Sequence, residues 1–180
     1  MASALETLCG QAYGAKQYSK LGTQTYTAIF SLFLVCLPLS VIWIYMGKLP
    51  TFMGQDPLIS YEAGKFTMWL VPALFAYATL QPLVRYFQTQ SLTMPMLLSS
   101  CAALCFHMPL CWVLVFKSGL GNLGAALAIS ISYWLNAIFL VLYMKYSSAC
   151  EKTRVPVSME VFQGMGEFFR FAIPSAVMIW

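Results

Sequence analysis

Charge is what this chain most lacks. Only 9% of its 180 residues are Asp, Glu, Lys or Arg, against 60% hydrophobic, where a soluble domain carries about a quarter charged residues. That supply could not cover a surface facing water. The charges are also clustered, leaving residues 21–47, 66–84, 86–116 and 118–144 with none. These gaps are 27, 19, 31 and 27 residues long, and a helix crosses a bilayer in roughly 20 apolar residues. Alternation is missing too. Runs such as LFLVCLPLSVIWIY show no two-residue period of the kind a barrel strand carries. Helices and closed barrels are the only spanning elements that satisfy their own backbone in hydrocarbon. The reading is therefore an all-α polytopic membrane protein with spans predicted at about 21–45, 66–86, 92–116 and 122–144. The start of a fifth is predicted at 168–180.

Acids are absent from the four spans. Glu6, Asp56, Glu62, Glu151, Glu160 and Glu167 all lie outside them, so an ion-coupling carboxylate is not expected in this stretch. No Asp pair, Ser–His pair or metal cluster is visible, which argues against an enzyme. Of the six cysteines, Cys36, Cys101, Cys105 and Cys111 fall within spans and read as small packing residues. No acidic neighbour completes a metal site around them, and no cofactor is implied. A basic start followed by an apolar stretch, the mark of a signal peptide, is missing from the first twenty residues. No basic run with interleaved aromatics points to nucleic acid.

The basic residues that are present carry topology. Lys16, Lys20, Arg85, Lys145, Lys152, Arg154 and Arg170 fall on one side of the predicted spans, and Lys48, Lys65 and Lys117 on the other. The positive-inside rule puts the first group in the cytoplasm. The connection 145–167 is then cytoplasmic, with Met159–Phe169 expected along the membrane surface, while 47–65 and KSGLGNLG form external loops. The chain opens on what reads as a helix end and stops inside an apolar run, so it is expected to continue in both directions.

A few polar residues stand inside the spans. Gln81, Arg85 and Gln88 share a helical face. They either line a water-filled cavity or mark a helix end where Arg85 snorkels to lipid headgroups. His107 is the sole histidine, within the third span. An intramembrane imidazole serves either a proton relay or a bond to a neighbouring helix. Cys111 lies one turn from it, and Asn136 adds a polar side chain in the fourth span. Pro38, Pro72, Pro82, Pro95 and Pro109 interrupt the helical hydrogen bonding.

The segments LCGQAYGAK (Leu8–Lys16), QPLVRYFQTQS (Gln81–Ser91), FKSGLGNLGAALAISIS (Phe116–Ser132) and EFFRFAIPSAVM (Glu167–Met178) together resemble the multidrug and toxic compound extrusion transporters, plant detoxification branch. Cys9, Gly10, Gln11 and Gly14 carry the first of these motifs, which in the family lies on a cytoplasmic loop. The resemblance implies a twelve-helix protein of two six-helix lobes, with this chain forming most of the N-terminal lobe and the remaining half of the full-length chain as its partner. It further implies a multi-pass protein of the vacuolar or plasma membrane, exchanging small organic cations or amphipathic compounds for protons across the lipid bilayer. Prokaryotic relatives carry LNxxLDP where this chain has FHMPLCW, so His107 stands in place of Asn and Cys111 in place of Asp. The alternatives kept open are a lipid-linked oligosaccharide flippase of related fold and a non-transporting scaffold subunit.

Overall fold

The computed structural model describes residues 2–48, 50, 54–147, 150–151, 153, 164–166, 168–170 and 174, with side chains from Leu5 onward. Most of the expected fifth span and most of the 145–167 connection lie outside the described residues.

Helix α1 (Ala2–Gly14) leads through a tight corner into α2 (Tyr18–Tyr45). Helix α3 runs Pro57–Thr89 and α4 Thr93–Trp112, the latter continuing through a π-helical turn, Val113–Lys117. Helix α5 spans Asn122–Tyr146. Helices α2 to α5 are each long and apolar enough to cross a membrane.

The start of α3 corrects the sequence reading, which placed residues 47–65 in a loop. Asp56 caps the helix, its Oδ1 accepting from Leu58 N–H at 2.8 Å, and Pro57 occupies the first turn. At 33 residues the helix is about 50 Å long, well beyond the roughly 30 Å of hydrocarbon. Glu62 and Lys65 therefore ride on a helical extension, 3.9 Å apart, with Lys65 Nζ 4.2 Å from the Tyr61 ring centroid. Charge marks the edge of the apolar length, not the end of the helix.

Helix α3 is the centre of the bundle, packed against α1, α2 and α5, whereas α4 rests mainly on α5. The densest core lies where α1 meets the others. Leu5 and Cys9, Leu21 and Ala28, Leu83 and Phe87, and Leu140 are all buried there. The Phe87 ring meets Tyr86 and Tyr143 edge-on at 5.3 and 5.8 Å. Leu34, Leu37, Leu98, Met108 and Phe116 point outward, which suits contact with lipid tails.

Two corners at this end close in the same way. Gln17 N–H reaches Ala12 O at 2.9 Å and Leu92 N–H reaches Phe87 O at 3.0 Å. The intervening Lys16 and Ser91 each hold φ at 58°. This is the Schellman closure, here with non-glycine residues in the left-handed region.

Glycine is required where backbones touch. A Cβ on Gly124 of α5 would fall inside van der Waals range of the Leu114 carbonyl, and one on Gly64 would lie 2.6 Å from Gly47 Cα. Side chains fix the α3–α5 seam. Ser130 Oγ lies 3.4 Å from Trp69 O, and Trp134 Nε1–H donates to Pro72 O at 3.2 Å. Trp134 thus sits mid-helix as a cross-helix donor, not as the interfacial anchor its type suggests.

Gly124→Ala is expected to lower unfolding free energy by about 1–3 kcal/mol through overpacking, read by thermal melting in detergent. Wild-type stability in that variant would mean that the α4–α5 approach is not close.

Candidate transport site

The sequence-selected polar residues fall into two groups that the fold keeps apart. The first stands where α1 meets α3. Arg85 Nη1 lies 2.8 Å from Glu6 Oε2 and donates to Gln88 Oε1 at 2.9 Å, so the Arg85–Gln88 pair is real but engaged with α1. The Glu6 side chain is 55% exposed and that of Arg85 29%, which leaves the pair partly screened by water. Arg85 Nε is buried with no acceptor. Gln81 is half-buried one turn before Arg85 on α3 and makes no side-chain hydrogen bond among the described residues. Glu6 was missed as the Arg85 partner because 79 residues separate them and only the α1–α3 crossing brings them together.

Beside this group, Tyr86 Oη and Thr153 Oγ1 are 2.5 Å apart, and Thr153 Oγ1 also lies 3.2 Å from Gln90 Oε1 and 3.1 Å from Cys150 O. Thr153 has one hydroxyl proton. When it goes to either oxygen acceptor, Tyr86 donates. Nothing in the local sequence around Thr153 announces that role.

The second group lies in the span. His107 Nδ1 is 2.8 Å from Ser132 Oγ, and Ser132 Oγ donates to Ala128 O at 2.7 Å. When the single hydroxyl proton goes to Ala128 O, Nδ1 carries a hydrogen and donates to Oγ, which leaves Nε2 as the basic atom. The structure thus assembles a Ser–His pair that the sequence reading did not anticipate. It lacks the third member of a hydrolytic arrangement, because no carboxylate among the described residues orients the ring. Cys111 lies half-buried one turn along α4. Asn136 lies one turn along α5 from Ser132, its Oδ1 buried and without a partner.

The first motif also takes a definite form. Leu8–Gly14 is helical, not the loop that the resemblance implied, and the loop is confined to the corner that follows. Cys9 is fully buried while Gly10, Gln11 and Gly14 are exposed, and a Cβ on either glycine would meet nothing within 4 Å. Neither glycine is there to admit a neighbour. The cavity at this end, about 740 Å³, is lined by Lys16, Lys20, Thr23, Gln24 and Phe168 among others. None of the sequence-selected site residues lines it.

Four apolar helices with hydroxyl, amide and imidazole groups turned between them define a multi-pass integral membrane protein. The chain belongs to the MatE family, whose model matches residues 1–113. It is 65% identical to Protein DETOXIFICATION 14 of Arabidopsis thaliana and 65% identical to Protein DETOXIFICATION 12 of the same plant, each over 179 residues. These matches cover 99% of the chain and 37% of each relative, so the chain spans a little over a third of their length. In structure it is similar to the crystal structure of the eukaryotic MATE transporter AtDTX14, with a TM-score of 0.97 at 65% identity. That match covers 99% of this chain and 40% of the other. The all-α fold is that of most of the N-terminal lobe of such a transporter.

A double-mutant cycle on Glu6→Gln and Arg85→Gln should return a coupling of about 0.3–1 kcal/mol that shrinks as salt is added, as for partly exposed pairs. Zero coupling at low salt would remove the pair from the forces that dock α1.

Proposed function

We propose that the chain is part of a secondary active efflux antiporter that exchanges organic cations or amphipathic compounds for protons by alternating access. The likeness over nearly the whole chain to a MATE transporter of known structure carries this reading. The names of its relatives support the detoxification role. Within it, His107, Cys111 and Asn136 are proposed as cavity residues of this lobe, and Gln81, Arg85 and Gln88 as the polar face nearer the basic end. That basic end is proposed as cytoplasmic. The remaining half of the full-length chain supplies the second lobe against which this one rocks.

The absence of carboxylates from the four charge-free stretches supports placing the principal coupling acid elsewhere in the parent. A strongly basic cavity, as a lipid-linked oligosaccharide flippase requires, finds no support in a single paired Arg85.

In vesicles with an acidic lumen, the full-length parent should accumulate a fluorescent organic cation, and an ionophore that collapses the pH difference should abolish the uptake. Uptake indifferent to the pH difference would sink the proton-exchange reading. His107→Ala in that parent is expected to reduce exchange several-fold, and the 180-residue chain alone is expected to move no substrate.

A further inference from the structure

His107 is held in a way that a packing histidine does not require. Ser132 Oγ lies 2.7 Å from Ala128 O and 2.8 Å from the imidazole Nδ1, and when its one proton goes to the carbonyl it offers the ring only a lone pair. In that arrangement Nδ1–H is committed to Ser132 Oγ, and Nε2 holds the free lone pair. Protonation at Nε2 makes both ring nitrogens donors, so the Ser132 bond survives in either charge state. The ring can gain and lose a proton without turning and without loosening α4 from α5.

The surroundings decide what that charge would do. On α4, Cys111 is the nearest titratable group along the His107 face, one turn away. On α5, Tyr133 turns toward Tyr77 of α3, with ring centroids 6.0 Å apart, and Lys145 stands at the far end of the helix. On α3, Glu62 and Lys65 pair with each other near its start, and Arg85 pairs with Glu6. Lys117 closes the π turn beyond α4. No carboxylate among the described residues of α3, α4 or α5 lies along the apolar length to neutralise an imidazolium. The unpartnered Asn136 Oδ1, one turn from Ser132, is an acceptor there.

We propose that the His107–Ser132 pair is a proton-binding site of this lobe, with Nδ1–H anchored on Ser132 Oγ and Nε2 taking up and releasing the proton. The step is a simple transfer: the Nε2 lone pair forms an N–H bond to a proton given up by hydronium, water is released, and no other bond changes. The positive charge then has no local counter-charge, so it disfavours an organic cation nearby, and the two occupy the lobe alternately. This consequence rests on the antiporter reading, whereas the tautomer and the titration do not.

The chain has a single histidine, so its ring gives one unambiguous set of nitrogen signals. The chain labelled with ¹⁵N-histidine and reconstituted into lipid bilayers is examined by solid-state NMR from pH 8 to pH 5, the range in which imidazole titrates. At pH 8 the expected state is protonated Nδ1 with bare Nε2. As pH falls, Nε2 should gain its proton while Nδ1 keeps its own. Ser132→Ala should lose the preference for Nδ1–H. A ring protonated on Nε2 at pH 8, or one still neutral at pH 5, overturns the proposal, and the wild-type spectra suffice if the variant does not fold. A titrating ring in a parent that fails to exchange protons for cations would instead count against the antiporter reading alone.

Discussion

Hydrocarbon does not solvate a peptide group, and nearly every local choice in this chain answers to that. Each backbone N–H and C=O across the spans must be met from within the same helix or by a side chain. The hydroxyls obey the same rule. Thr25 returns its proton to Leu21 O, Thr67 to Ala63 O and Thr79 to Phe75 O, each four residues back. A hydroxyl that has donated in this way still offers a lone pair. Cross-helix polar contact in the apolar length therefore favours groups that bring their own proton, such as the Trp134 indole and the His107 imidazole.

That constraint also explains how the bundle is tied together. Where α1 crosses α3, a partly exposed charged pair, a buried tyrosine–threonine link and two non-glycine corners all accumulate. Farther along, the seams are made by glycine contact and single hydrogen bonds. Helix α4 depends most on the second kind of joint, since it rests mainly on α5. Pro109 lacks the N–H that Cys105 O would receive. A few residues later Ser118 N–H bonds to Val113 O, five residues back, the register of a π turn. Gly124 then seats itself against that turn at Leu114.

The spans were legible because charge exclusion is a property of composition and needs no partner. The ends of α3 were less so, because the Asp56 cap and Pro57 lie beyond the apolar stretch that announces the helix. The candidate residues were legible as types: an arginine and a histidine in apolar surroundings are conspicuous. Their partners were not. Glu6 and Ser132 are ordinary residues until the α1–α3 and α4–α5 crossings place them, and those crossings depend on packing across long separations. Ser130 and Trp134 came closest to an unread signal, since their spacing of four puts both on one face of α5.

Position on the chain also separates what the two polar groups can do. Arg85 is permanently charged, partly exposed and already matched by Glu6, so a change in pH near neutrality alters nothing at its side of the pair. It ties α1 to α3 in this structure. His107 stands instead on α4, which rests mainly on α5, and it is there that a change of charge is proposed. The lobe thus combines an ionic tie where α1 crosses α3 with an imidazole–hydroxyl contact between α4 and α5, and only the second is proposed to answer to a proton.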